Sequence, residues 1–440
     1  MNIGRKIYSM SGLCFNSPTR SNIQYKEGLM GPIRLLSLSM ISLILAADAY
    51  AVTLGESFNS ALLNNQTDNI NESRLKQSME LRTRGQGSYY PTLSVRGTYL
   101  KQERFEDQKT LGLNLTTSLY NGGRDRQLIK NADTSIKIAQ NQRQLDRVSL
   151  YMDVIDSYYT YLMNLNDLKN LDLLKKQSQE RANEIRKRLQ IGRSRRGELL
   201  QAEAQLASVD AQTYDGQGLL KQSEARFYIL TGLSKDQAMN MKFDDKVSEK
   251  TLKEYLEMAY AREDFQNKQL AIQQFEGDVK ISKAHYLPTL DLLSNYYAIK
   301  EGGSTSSRNS DWDIGLNLTI PLYEGGVSQA LVRESVEKAQ TARYQLTDYQ
   351  KSITIEVTSR YEMFHRYFDQ IKAFDSALDK AKKSYDETLK DYRLGLVTNL
   401  DVISSLNLYL DSKRNAERTR IMAIMNQKLL EASSGLVPEV

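Results

Sequence analysis

The sequence predicts a mainly α-helical chain with a small β part: two structural repeats, each with a β-hairpin and a long helical hairpin. Three observations predict it. Residues 124–191 and 327–394 are each 68 residues long and contain neither Gly nor Pro. At about 1.5 Å rise per residue, each makes a rod of roughly 100 Å as one helix. Second, the halves repeat at a shift of 203: Leu111-Gly112-Leu113-Asn114-Leu115-Thr116 returns as Ile314-Gly315-Leu316-Asn317-Leu318-Thr319. Third, the segments ahead of each rod alternate apolar and polar residues with period two, the signature of strands. Equal rods in both halves mean that length is specified, so function depends on reach.

The 440 residues could hold two or three ordinary domains, but only 6 are Pro and the Gly-free runs favour long helices. Residues 1–51 read as a secretory signal peptide. Its apolar run, Leu35 to Ala47, follows Arg34, and Ala49-Tyr50-Ala51 supplies the small-residue cleavage pattern. The 34 residues ahead of that run are too many for an ordinary n-region, which makes Met30 a candidate true start. The alternative is a membrane anchor, but the run is shorter than the ~20 residues a span needs. Without residues 1–51 the net charge falls from +5 to about +2, which leaves no polybasic footprint for nucleic acid. Cys14 lies in the discarded part, and Leu13 ahead of it lacks the small residue a lipoprotein cleavage site wants. The mature chain therefore relies on neither disulfides nor a cysteine metal site. No apolar run of 18 or more follows Ala51, so a membrane would be crossed by strands.

The first repeat, 52–233, opens with a polar amphipathic helix from Leu54 to about Gln86 and reaches Tyr89-Tyr90-Pro91-Thr92-Leu93, where proline ends the helix. A β-hairpin follows over 92–120. Leu93, Val95, Gly97 and Tyr99 share one side, and Leu111, Leu113, Leu115 and Leu119 share one side of the partner strand. Gly122 and Gly123 make the strand-to-helix turn into the long helix 124–191, and a return helix spans 198–230, interrupted by Gly216 and Gly218. A polar connector, 234–250, leads to the second repeat, 251–440. There a helix from Leu252 to about Ala284 meets Tyr286-Leu287-Pro288-Thr289-Leu290. The hairpin 289–322, the turn at Gly325 and Gly326, the long helix 327–394 and the return helix 401–433 complete it. Leu293 breaks the alternation of the third strand.

Strands of about 10 residues with one apolar side and aromatic ends (Tyr89, Tyr90, Tyr120, Tyr286, Trp312, Tyr323) fit transmembrane β-strands. Two hairpins of a soluble sandwich would show the same alternation; the export signal and the flanking rods favour the membrane. Four strands cannot close a barrel, and lipid does not tolerate open edges, so several chains must share one. In the first rod Leu145, Val148, Met152, Ile155, Tyr159 and Leu162 form one heptad seam, with Tyr151, Val154, Tyr158, Tyr161, Leu165 and Leu168 forming a second beside it. The second rod carries one strong seam: Phe364, Tyr367, Ile371, Phe374, Leu378, Ala381 and Tyr385. Neighbours on both flanks fit a ring of helices; a solvent-exposed coiled-coil stalk is the alternative.

Catalytic constellations are not found, so the chain reads as a non-enzyme without cofactor or metal. His285 and His365, the only histidines, read as surface or packing residues. The double glycines lack the G-x-G-x-x-G and Lys-Ser/Thr patterns of phosphate loops. The informative sites are the two tips. Gly192-Arg193-Ser194-Arg195-Arg196-Gly197-Glu198 aligns with Gly395-Leu396-Val397-Thr398-Asn399-Leu400-Asp401. In each, glycine permits the turn and a carboxylate opens the return helix. Glu198 and Asp401 can serve as anions at a helix N-terminus, worth about 0.3–1 kcal/mol. Repeated around a pore mouth they can equally form an acidic ring that selects cations.

The Tyr-x-Pro-Thr-Leu pair, the Leu-Tyr-Asn/Glu-Gly-Gly exits (119–123 and 322–326), the rods of this length and the tip Leu394-Gly395-Leu396-Val397-Thr398-Asn399-Leu400-Asp401-Val402 together carry a family resemblance. The chain resembles the TolC family of outer-membrane efflux and secretion channels over nearly its whole mature length. The resemblance implies a homotrimer: a 12-stranded β-barrel in outer-membrane lipid, continued by an α-helical barrel into the periplasm. It implies a periplasmic adaptor (membrane fusion) protein and an inner-membrane transporter of RND, ABC or MFS type as partners, with the tips Gly192, Arg193, Arg195, Arg196, Gly395, Leu396, Val397, Thr398 and Asn399 at the adaptor contact. The implied function is a passive exit duct of a tripartite efflux pump or type I secretion system; the alternative is a periplasmic coiled-coil scaffold. In the best-studied members of that family two acidic residues, three apart after the second tip, line the entrance. Asp401 matches the first, but Ser404 stands at the second, and Val397 replaces the basic residue sometimes found in that tip. The basic first tip instead points to a different adaptor or an anionic cargo.

Overall fold

The structure, a computed structural model, describes residues 52–101, 103, 107–233, 250–301 and 312–438. The signal segment, most of the connector and parts of both strand-to-strand loops lie outside the described residues. Helix α1 (Leu54–Asn64) begins at a capping box, in which the Glu56 N–H donates to Thr53 Oγ1 at 3.2 Å and the Thr53 N–H to Glu56 Oε2 at 2.8 Å. The single helix expected to Gln86 is broken here. Asn65 is extended, and its Oδ1 accepts from the Thr67 N–H at 3.1 Å and hydroxyl at 2.8 Å, so the side chain replaces the helical acceptor and α2 (Thr67–Gly87) starts afresh. The second repeat does the same: α5 (Leu252–Tyr260), opened by the Thr251/Glu254 box, stops at Ala261, and extended Arg262 restarts α6 (Glu263–Lys283). A 3-10 turn, Ala284–Tyr286, then precedes the sheet.

Between these lie the long hairpins: α3 (Arg124–Gln190) with α4 (Arg196–Thr231), and α7 (Val327–Leu394) with α8 (Asn399–Ser433). The return helices start two residues earlier than the carboxylates suggested, so Arg196 and Asn399 are helical rather than turn residues. Nor is α4 interrupted at Gly216: a Cβ there would stand 3.0 Å from Leu171 Cδ1, so this glycine serves close packing on α3. Helix α3 packs on α1, α2, α4, α6 and α8, whereas α7 packs on α5, α6 and α8.

That asymmetry follows from the seams. Both seams of α3 are buried in their middle, with Val154, Ile155, Tyr158 and Tyr159 at most 1% exposed, and half-buried at Leu145, Met152, Leu165 and Leu168. Tyr158 stands edge-on to Tyr159 at 5.1 Å, Tyr161 stacks on Phe227 of α4 at 5.9 Å, and Phe58 of α1 meets Tyr151 at 4.9 Å. Fully burying a large apolar side chain contributes about 1.5–3 kcal/mol, so this cluster anchors the first hairpin. Helix α7 buries Ile353, Val357, Phe364 and Ala381 and leaves Tyr344, Ile355 and Met363 exposed. Towards the second repeat the core cluster of α3 takes in Ile421 and Ala432 of α8, and polar bonds run beside it: Asn141 to Asn267 at 2.9 Å, Asn131 to Asp278 at 2.8 Å, Asn170 to Glu417 at 2.6 Å and Arg414 to Asp167 at 3.1 Å.

The strands β1 (Thr92–Leu100), β2 (Gln108–Asn121), β3 (Thr289–Glu301) and β4 (Trp312–Thr319) form one antiparallel sheet in the order β1-β2-β3-β4. The two expected hairpins are thus one sheet, because β2 also pairs with β3. Strand β4 stops at Thr319, short of Leu322, because Pro321 has no N–H for the ladder. Register places Leu93 beside Leu115, Leu113 beside Tyr296 and Tyr296 beside Trp312, all on one face. Leu293 lies on the other face, opposite Thr116 and Gly315, which explains its break in the alternation.

Candidate functional site

The tips end their long helices with the same backbone device. Gly192 and Gly395 take φ of 72° and 78°, and the next N–H reaches back across the turn, Arg193 to the Arg188 carbonyl at 2.8 Å and Leu396 to the Asp391 carbonyl at 2.9 Å. Left-handed backbone is what glycine adopts without a Cβ penalty. Beyond the turn the chemistry diverges. At the second tip the Thr398 N–H and hydroxyl both donate to Asp401 Oδ2, at 2.8 and 2.6 Å. These bonds, the hydroxyl first, hold the Asp401 carboxyl below its usual range. At the first tip Arg195 takes the equivalent cap position and brings no hydroxyl, and Glu198 accepts from Ser194 Oγ at 2.5 Å.

The second tip is also tied to α3. Arg181 Nε donates to Asn399 Oδ1 at 2.6 Å, Nη1 pairs with Glu184 at 2.8 Å, and the guanidinium lies 3.8 Å from the centre of the Tyr392 ring. Arg188, paired with the same Glu184 at 2.8 Å, covers the ring at 4.6 Å. In the sequence Tyr392 only continues the apolar seam of the second rod, seven residues beyond Tyr385, and no motif marks Arg181 or Arg188. A signal existed: Arg181 falls in the spacing Ser178-Arg181-Ala182-Ile185, all buried, where an arginine needs a partner.

Of the residues expected at the entrance, Asp401 and Ser404 are exposed near the start of α8, and Glu198 is half-buried near the start of α4. Each carboxylate bonds within its own tip; the single chain does not bring them together. Arg193, Arg195 and Arg196 are exposed and make no ion pair among the described residues. Leu396 is exposed, Val397 half-buried and Asn399 buried. The strand-to-helix turns carry positive φ at Gly122, Gly123, Gly325 and Gly326.

At the other end, the apolar face of the sheet stands open, with Leu93, Val95 and Leu316 at 66, 70 and 67% exposure. Its polar face carries a transverse ladder: Asn114 Nδ2 donates to Asn295 Oδ1 at 2.6 Å, and Asn295 Nδ2 to Asp313 Oδ1 at 2.7 Å. Edge strands β1 and β4 have no second neighbour. No described helix is long and apolar enough to cross a membrane, and no group of three metal-ligating side chains occurs among the described residues. His365 packs edge-on against Tyr361 at 4.4 Å.

The outer membrane efflux protein family matches this chain over residues 61–233 and 257–426. The outer membrane efflux protein BepC of Brucella suis is 23% identical over 301 residues, 68% of this chain and 66% of its own length, so the match spans just under two thirds of that relative. The outer membrane protein TolC of Vibrio cholerae is 21% identical over 410 residues, 90% of this chain and 93% of its own. The crystal structure of the outer membrane protein VceC of Vibrio cholerae superposes with a TM-score of 0.75 at 18% identity, covering 87% of this chain and 96% of that one.

Proposed function

The chain belongs to the outer membrane efflux protein family, and from that premise we propose that it is the outer-membrane exit duct of a tripartite efflux pump or type I secretion system. One observation carries the reading: a sheet with a fully open apolar face and two unpaired edges sits on the same chain as a wall of long helices. Lipid covers such a face, and closure removes such edges. Three copies supply 12 strands from the four of each chain and close one barrel. The exposed flank of α7 then meets the α2/α4 flank of the next copy, and the helices continue the barrel as a tunnel.

Transport through this duct is passive, driven by an inner-membrane transporter of RND, ABC or MFS type through a periplasmic adaptor. The tips form the periplasmic entrance. Repeated by symmetry, Asp401, Glu198 and Ser404 line it, while Arg193, Arg195 and Arg196 meet the adaptor. Detergent extraction and planar-bilayer recording test the reading. A trimer from the outer membrane with discrete conductance steps is expected, and release of a monomer by osmotic shock overturns it in favour of a periplasmic scaffold.

A further inference from the structure

We infer that the polar face of the sheet carries a subsite for organic anions, a carboxylate on an apolar body, with Arg96 taking the charge and Leu293 and Tyr297 the body. The inference rests on the duct reading, in which this face lines the lumen. A hollow of ≈ 330 Å³ lies on it, lined by Arg96, Gln108, Thr110, Asn114, Leu293 and Tyr297 among others, at the small end of the ~300–1,000 Å³ typical of ligand sites. The backbone makes the room. Between Leu111 and Gly112 the register of β2 on β3 slips, and a Cβ at 112 would collide with the Tyr296 carbonyl. Position 112 therefore carries no side chain, and its ladder partners, Arg96 on β1 and Tyr297 on β3, flank the gap.

Two side chains on this face are left without a use by the fold alone. Leu293 sets a branched apolar group in one row with Thr116 and Gly315, on a wall that is polar in such barrels. Arg96 is exposed and makes no hydrogen bond or ion pair among the described residues. Asp313 lies on the same face but accepts from Asn295 Nδ2 at 2.7 Å instead. Lys300, opposite Thr110, brings a second positive charge beside the hollow, with its Nζ 4.8 Å from the centre of the Tyr297 ring. Gln108 and Thr110 add neutral donors to the lining. The charged donor facing a guest is the Arg96 guanidinium, a fork that binds a carboxylate by two parallel bonds. A small inorganic ion would leave Leu293 uncovered, and a neutral apolar solute would leave Arg96 unmatched. An organic anion answers both.

Planar-bilayer recording on the detergent-purified full-length protein tests the subsite, with naphthoate as the probe. Acetate lacks the body and naphthylmethylammonium reverses the charge. Brief, concentration-dependent interruptions of the current are expected with naphthoate and with neither analogue at the same concentration. Arg96→Gln should weaken the naphthoate block about tenfold, the worth of one charged hydrogen bond. Leu293→Asn should weaken it about threefold, as partial loss of a leucine contact does. Arg96→Glu should turn the preference to naphthylmethylammonium. Channels that conduct without naphthoate interruptions, or with equal interruptions in Arg96→Gln, overturn the subsite and leave the duct standing. Absence of any conductance step overturns both.

Discussion

At the first tip Arg195 occupies the cap position that Thr398 fills at the second, and the consequences run outward from that one exchange. Thr398 engages Asp401, and the following Asn399 is buried against Arg181 of α3. Arg195 brings no hydroxyl, Glu198 accepts from Ser194, and the following Arg196 stays in solvent. Both tips share the glycine turn with its bond back into the long helix. The backbone device is therefore generic, and the side chains divide the labour: the second tip is held to the wall, while the first presents free charge.

Removing the tie should break this contrast most strongly. Arg181→Ala deletes the bond to Asn399, the ion pair with Glu184 and the contact with Tyr392. It is expected to destabilise the second tip locally by roughly 2–3 kcal/mol, as loss of a buried charged bond does, with little change in the sheet. Hydrogen exchange should rise in residues 392–403 and far less in 189–200, and single-channel conductance should increase. Equal protection in both tips after the substitution would refute the tie.

Gly192→Ala and Gly395→Ala sharpen the contrast by testing what the tips share. Nothing stands within 4 Å of a Cβ at either glycine, so only the left-handed backbone resists the substitution. Each should cost about 1 kcal/mol, measured as increased protease cutting at the altered tip. A several-fold difference between the two would show that side-chain ties strain one turn and not the other.

Asp401 supplies a smaller, pH-dependent part. Its folded carboxyl is depressed below the ordinary value near 3.8 by Thr398, so its contribution is complete above that value and fades as pH falls through the lower folded value. Protection of the second-tip amides should drop in acid below about pH 4, and Asp401→Asn should flatten that dependence. The same variant should weaken block of the channel by multivalent cations. Unchanged block would remove Asp401 from the pore lining.

The rods, the repeat and the strands were legible because period and glycine or proline punctuation are local signals. The helix breaks were not. At Asn65 the side chain takes over the Thr67 N–H, a competition that hydrophobic period does not register. The tie at Arg181 was hidden for a different reason. It joins residues 218 apart, while the internal repeat runs at 203, and Ser384 stands where symmetry would place a second arginine. The matched spacing of the tips points to Asp401 and Glu198 as an expectation, but it does not register the bond from Arg181 to Asn399.

The smallest structural effect is expected from the first tip, and there the functional effect should be most selective. Arg195 and Arg196 are exposed and carry no ion pair among the described residues, so reversing both to Glu should change stability by no more than about 0.5 kcal/mol. Trimer yield and bilayer conductance should match the natural protein. Engagement of the adaptor should fail, because docking two charged surfaces depends on complementary sign. Crosslinking to the adaptor in cells reads this directly, and its loss should be reversed when matching acidic residues of the adaptor are changed to lysine. Normal crosslinking in the Arg195→Glu, Arg196→Glu variant would mean that those arginines are merely solvated. Adaptor recognition would then rest on the exposed apolar residues of the second tip, Leu394 and Leu396.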